Sequence, residues 1–216
     1  MLYLERVCKS YRMRNGKLRP VLRDVSALVR PGDAVGILGR NGSGKSTLMR
    51  LIAGVEFPTS GRIERRMRIS WPLGHSVGLS RELSGADNAR FIARIYGEPI
   101  PRVLDFVEDF AELGPYFHMP QGTYSSGMTG RLQLGISLAI NFDCYLMDEV
   151  TAAGDARFVE RGRKALAERA RRATVIMVSH QTNTIRSYCR TAAVLQDGAL
   201  TFYEDLDEAF AAYQAL

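Results

Sequence analysis

The run "GRNGSGKST" spans residues 39–47, and its spacing, G-x-x-x-x-G-K-S/T, suits one kind of chemistry. Gly39, Gly42 and Gly44 let successive backbone N–H groups turn inward around an anion. Asn41 and Ser43 lie between them, and Ser46 and Thr47 follow Lys45 at the start of what reads as a helix. A helix N-terminus brings unpaired amides and the positive end of a dipole to the same place. Lys45 can reach the β- and γ-phosphates of a nucleoside triphosphate, and the Ser46 hydroxyl can ligate Mg²⁺. Every residue of this cradle except Arg40 is read as a phosphate or metal contact.

Two further runs end in groups that suit the same chemistry. "CYLMDE" (144–149) closes an apolar stretch on adjacent carboxylates, an expensive arrangement unless metal or solvent compensates the charge. Asp148 suits an Mg²⁺ ligand, direct or through water. Glu149 would face the γ-phosphate side and polarise an attacking water. "TVIMVSH" (174–180) ends on His180, whose imidazole can hydrogen-bond the γ-phosphate or that water. Lys45, Glu149 and His180 are thus the candidate catalytic groups for hydrolysis of a triphosphate. Ser46 and Asp148 are the candidate metal ligands.

These residues need elements that bring them together. "AVGIL" (34–38), "CYLM" (144–147) and "TVIMV" (174–178) are continuous apolar runs, the pattern of strands covered on both faces in a parallel sheet. Helices are expected to follow them over 45–54, 156–170 and 182–189, an order that indicates an α/β fold. Ligands of such sheets bind at the carboxyl ends of the strands, where all three runs turn polar. Residues from about 72 to 141 read differently. "GADNARFIARIYG", "PRVLDFVEDFAELG" and "SGMTGRLQLGISLAI" are helical and form an insertion into the α/β core of 1–71 and 142–216. Residues 21–30 and 191–204 read as strands, the latter turning at Asp197-Gly198. "RIERRMRIS" reads as one strand leading into "SWPLGHS", which holds the only tryptophan, Trp71.

Composition narrows the class. The 216 residues suit one domain with an inserted subdomain. No apolar run approaches the roughly 18 residues that span a bilayer, and the N-terminus reaches Glu5 without a signal-peptide core. A cytoplasmic location is expected. Cys8, Cys144 and Cys189 are widely spaced and odd in number, which fits reduced thiols rather than disulfides or a zinc site. With 29 Lys+Arg against 23 Asp+Glu, the chain suits an anionic partner. Arginines cluster in "GRIERRMR" and "ERARRA", the latter at the end of a helix, where cations complement the dipole.

"YSSGMTGRL" (124–132) opens a helix shortly before the Asp148 strand. It resembles the signature motif of ABC-type ATPases, with Ser125 and Gly127 in the key places and Ser126 and Met128 departing from the commonest form. No N/T-K-x-D motif of the GTPases is present. The resemblance implies ATP as the nucleotide, with Tyr11 of "VCKSYR" as the aromatic that stacks on adenine. It places Asp155 of "DEVTAAGDARF" in the loop that crosses a dimer interface. It also implies a P-loop NTPase fold of ABC ATPase type: a mostly parallel core sheet with flanking helices, an antiparallel β subdomain and a helical insertion.

Over nearly the whole chain, "SWPLGHS", "FIARIYG", "YSSGM", "LAINFDCYLMDEV", "GDARF", "VIMVSHQ" and "DEAFAAY" resemble the ATP-binding subunit of capsular polysaccharide exporters. The family resemblance implies a second copy facing the first head to tail. Each ATP would lie between the phosphate loop of one and Ser125 of the other. A separate integral-membrane permease would contact most of the polysaccharide, and the ATPase would sit at the cytoplasmic face of the bacterial inner membrane. O-antigen and teichoic acid exporters are the alternative substrate classes. The chain stops after a short amphipathic segment, leaving no room for the carbohydrate-binding domain of some relatives. A nucleic-acid role, encouraged by the basic charge, lacks the long coiled coil or the second ATPase unit of such relatives, so no nucleic acid is expected. Where these ATPases carry a glutamine at the entry to the helical insertion, this chain has "SWPLGHS", with His75 and Ser76 as polar residues and Trp71 in a packing role.

Overall fold

The computed structural model describes residues 1–73, 78–148 and 155–216. The chain opens with β1 (Leu2–Arg12), β2 (Leu18–Val29), β3 (Ala34–Leu38), α1 (Lys45–Ala53), β4 (Ser60–Arg65) and β5 (Ile69–Leu73). Helices α2 (Gly85–Tyr96), α3 (Ile100–Ala111) and α4 (Ser126–Ala139) follow, with 3-10 turns at Gly114–His118 and Gln121–Thr123 before α4. Next come β6 (Cys144–Asp148), α5 (Ala156–Ala170), β7 (Thr174–Val178) and α6 (Thr182–Tyr188). The chain closes with β8 (Thr191–Gln196), β9 (Ala199–Tyr203) and α7 (Leu206–Gln214). Two compact units result, one of residues 1–72, 142–149 and 170–216, the other of 73–141 and 150–169.

The first unit holds both sheets. A three-stranded antiparallel sheet has the order β2-β1-β4, and a six-stranded sheet the order β5-β6-β7-β3-β8-β9. Strand β3 lies between β7 and β8 and is parallel to both, β6 is parallel to β7, and β9 returns antiparallel to β8. Every residue of β3, β6 and β7 is buried, as their unbroken apolar character predicts. Leu4 and Val25 of the smaller sheet meet Ile37, Leu146 and Ile176 of the larger around Leu48 and Ile52 of α1 in one core. Helix α1 is thus clamped by both sheets, which fixes the loop that precedes it.

The "RIERRMRIS" segment is not one strand. It breaks at residues 66–68 into β4 and β5, which belong to different sheets. The backbone changes partners there. Arg66 N–H donates to the Met1 carbonyl at 2.9 Å, whereas Arg68 N–H donates to the Asp143 carboxylate at 2.7 Å. The Arg68 carbonyl accepts from the N–H groups of Asp143 and Cys144. Trp71 then buries its ring edge-on to Phe142, 5.3 Å between centroids, and Phe142 meets Tyr145 in the same way. The buried Ser70 hydroxyl donates to the Trp71 carbonyl and accepts from Leu146 N–H at 2.9 Å. His75 and Ser76 lie outside the described residues.

The second unit is helical. Ser84 caps α2 by accepting from Asp87 N–H, and Gly97 ends it in the left-handed conformation. Gly135 of α4 faces α3, where a Cβ would stand at an ordinary contact distance of 3.5 Å from both Val107 and Phe110. Helix α5, expected in the α/β core, makes its ring and ion-pair contacts here. Phe158 meets Phe110 edge-on at 5.4 Å, and Arg161 pairs with Asp109 and Glu112, each at 2.6 Å. Arg169 donates to the Leu138 carbonyl and the Asn141 side chain. Its charge therefore serves the carboxyl end of α4 rather than only that of its own helix. The three cysteines are free. Burial pushes the Cys144 and Cys189 thiols up to about 12, so both stay protonated and unreactive.

Candidate functional site

The strand register brings the polar endings to one edge. Ile37 of β3 pairs with Val178 of β7, and Val178 pairs with Asp148 of β6. The loop that begins at Gly39, the Asp148 side chain and Ser179-His180 therefore leave the sheet at nearly the same level. Asp148 is 8% exposed, while His180 is exposed to solvent. Glu149, the expected water-polarising carboxylate, lies outside the described residues.

The phosphate loop is held from both sides. Gly39 has φ +154°, and a Cβ there would stand 2.5 Å from the Leu195 carbonyl oxygen of β8. Gly44, at φ +108°, would bring a Cβ to 2.8 Å from the Val21 side chain of β2. Only glycine suits either position. Gly44 is also the N-cap residue of α1, and no side chain caps that helix. The first-turn amides of Ser46 and Thr47 therefore remain available to an outside acceptor. Lys45 is 7% exposed, and its ammonium donates to the carbonyls of Gly39 (2.6 Å) and Arg40 (3.0 Å). The Ser43 hydroxyl is buried without a hydrogen-bond partner among the described residues. A buried orphan hydroxyl in a ring of amides is what a phosphate oxygen would satisfy. Asp148 and the exposed Ser46 hydroxyl supply hard oxygen donors of the type Mg²⁺ takes.

Tyr11 stands at the end of β1 in the same unit, half-buried. Its hydroxyl donates to Glu56 at 2.7 Å and accepts from Arg50 of α1 at 3.2 Å. The Thr47 hydroxyl turns into this cluster as well, accepting from Arg50 at 3.3 Å. Nothing in the motif spacing marks Lys9, Arg50 and Glu56. Only the i, i+3 spacing of Thr47 and Arg50 on one helix face hints at part of the cluster.

Ser125 and Gly127 belong to the helical unit. Ser125 is the N-cap of α4 and accepts from Met128 N–H at 3.2 Å. A Cβ on Gly127 would find nothing closer than the Ser125 hydroxyl at 3.9 Å. Asp155 accepts from Phe158 N–H at 2.9 Å and pairs with Arg131 of α4 at 2.6 Å. The bond from the Phe158 amide, with Arg131 beside it, holds the Asp155 carboxyl below its ordinary range.

A buried parallel strand, a glycine-rich loop and a helix opening on Lys45, beside a second strand ending in aspartate, define a P-loop nucleotide-binding protein. The family model for ABC transporters matches residues 22–152, and the chain belongs to that family. The capsule polysaccharide export ATP-binding protein CtrD of Neisseria meningitidis serogroup B is 48% identical over the full length of both chains. The ATP-binding protein BexA of Haemophilus influenzae is 46% identical over 99% of this chain and 98% of its own. A dimeric, post-hydrolysis ATP-binding cassette bound to ADP and Pi superposes with a TM-score of 0.78 at 24% identity, covering 95% of this chain and 99% of that one. That last likeness is one of fold.

Proposed function

We propose that this chain is the ATP-hydrolysing subunit of an ABC exporter that moves capsule polysaccharide across the bacterial inner membrane. The observation that carries the reading is 48% identity along the entire chain to a capsule polysaccharide export ATP-binding protein, with a phosphate loop shaped around its glycines. In this reading Lys45 exchanges its loop carbonyls for the β- and γ-phosphates of ATP, and the amides of residues 41–47 hold the remaining oxygens. Ser46 and Asp148 would hold Mg²⁺, which supplies charge neutralisation at the β- and γ-phosphates. Glu149 orients and polarises the attacking water, and His180 hydrogen-bonds the γ-phosphate side. Tyr11 stacks on adenine.

Ser125 and Gly127 act on the ATP of a second copy, and two copies enclose two nucleotides. Gly127 supports this assignment. A glycine costs a helix about 1 kcal/mol relative to alanine, yet no described residue crowds that position. Close approach of a group from outside gives the glycine a reason. No described helix is long and apolar enough to cross a membrane, and we assign the passage to a permease on a separate chain. That permease makes most contacts with the polysaccharide and holds the ATPase at the cytoplasmic face. No role in binding nucleic acid is assigned.

The test is reconstitution of the ATPase with its co-purifying membrane protein in vesicles. ATP-dependent movement of labelled lipid-linked capsule polysaccharide is expected, and none with Lys45→Ala. Preferential movement of teichoic acid or O-antigen would reassign the substrate. ATP turnover in those vesicles with no movement of any polymer would remove the transport assignment.

A further inference from the structure

Five side chains from β1, α1 and the segment after α1 meet beside the phosphate loop. Glu56 lies at their centre. One carboxylate oxygen accepts from the Tyr11 hydroxyl at 2.7 Å and lies 3.2 Å from Lys9 Nζ, while the other accepts from Arg50 Nε at 2.6 Å. Arg50 Nη2 reaches on to the Tyr11 hydroxyl (3.2 Å) and the Thr47 hydroxyl (3.3 Å). Lys9 is pinned in turn to the Phe57 carbonyl at 2.8 Å and stands over the Tyr11 ring, 5.1 Å from its centroid.

The bonding capacity of a phenol gives this arrangement its meaning. Tyrosine has one O–H to donate, and here Glu56 takes it. The oxygen accepts from Arg50, so the polar end of Tyr11 is committed to the protein and contact with a base falls to its ring. Lys9 backs one face by cation–π attraction, and in the stacking reading the base takes the opposite face. A tyrosine at the end of a strand otherwise loses rotamer freedom when a ligand packs on it. Fixing the ring beforehand removes that cost from binding. The other end of the network is Thr47, in the first turn of α1, whose amide is one of those that the nucleotide reading gives to the phosphates.

We propose that Glu56 is a positioning residue for the nucleobase. Through Tyr11 on one side and Arg50 and Thr47 on the other, it sets the ring at a fixed distance from the phosphate loop, so that base and phosphates are engaged together. This rests on the nucleotide reading above, with Tyr11 as the stacking residue.

The experiment compares binding of ATP and of inorganic triphosphate, which has no base, to the purified full chain and its variants. Stacking of a base on an aromatic side chain is worth enough that losing its preorganisation should weaken binding about tenfold. Glu56→Ala is expected to raise Kd for ATP by about that factor while triphosphate binding stays within about twofold. Tyr11→Phe, which keeps the ring and loses the hydroxyl, should show the same selective loss. Glu56→Ala in the Tyr11→Phe background should then add little. Glu56→Gln, which still accepts a bond at the same place, should recover part of the ATP affinity. Equal weakening of ATP and triphosphate would make Glu56 a support of the loop as a whole and overturn the proposal, as would additive effects of the two substitutions. Full ATP affinity in Tyr11→Ala would remove the stacking role on which the proposal rests. A wild-type chain that binds neither ligand would overturn the nucleotide reading itself.

Discussion

Lys45 and Glu56 mark two ways in which a charged side chain is kept in place. Lys45 is nearly enclosed, and its ammonium is held by the Gly39 and Arg40 carbonyls of its own loop. Lys45→Ala should fold, since it removes a stem and two hydrogen bonds. It should lose ATP binding by about 10² or more, the scale for truncating one partner of a buried, hydrogen-bonded charge pair. Calorimetric titration with ATP checks both. Glu56 is held by its neighbours instead. Burial pushes its carboxyl up, and hydrogen bonds from Tyr11, Arg50 and Lys9 outweigh that, bringing it from an ordinary 4.5 to about 2. A lowered carboxyl contributes stability that is complete above its unfolded value and is lost as pH falls through its folded value. The stability gap between wild type and Glu56→Gln should therefore hold above pH 5 and shrink from there towards pH 2, as read by urea unfolding. A gap independent of pH would contradict the bonding pattern. Lys45 was legible from motif spacing alone. Glu56 was not, because its partners lie 6 to 47 residues away in sequence and no periodicity links them.

At the scale of elements, continuity of apolar residues predicted β3, β6 and β7 almost to the residue, because a strand covered on both faces tolerates no polar interruption. The capped and glycine-terminated helices were equally readable. The division of "RIERRMRIS" between two sheets was not. Its alternation is compatible with one strand, and only Asp143, from a distant part of the chain, turns the backbone at Arg68. The close packing of α6 on β3 was also hidden. A Cβ on Gly36 would stand 2.6 Å from the Ile185 side chain, so Gly36→Ala must displace a fully buried neighbour. Overpacking of this kind costs about 1–3 kcal/mol, which a shifted urea midpoint would show. An unchanged midpoint would mean that α6 moves aside freely.

For the whole molecule, the proposed catalytic unit contains two copies of the chain. Glu149→Gln should bind ATP, hydrolyse it poorly and accumulate as a dimer, seen by size-exclusion chromatography with ATP. A monomer throughout would remove the main support for the two-copy site. Ser125→Arg should abolish turnover while leaving ATP binding to the monomer within about twofold, because in this reading Ser125 serves the nucleotide held by the other copy. Equal loss of both would place Ser125 in the pocket of its own chain.

The sequence by itself determined the class of fold, the glycine-rich loop ahead of α1 and the placing of Asp148 at a strand end. These depend on local spacing and on whether a run is covered on both faces, and both are written in consecutive residues. Tertiary structure alone decided the strand order that levels Gly39, Asp148 and Ser179 at one edge, the parting of β4 from β5, and the network around Glu56. Each depends on which distant residues become neighbours, and that is set by how two sheets close on α1 rather than by any pattern along the chain.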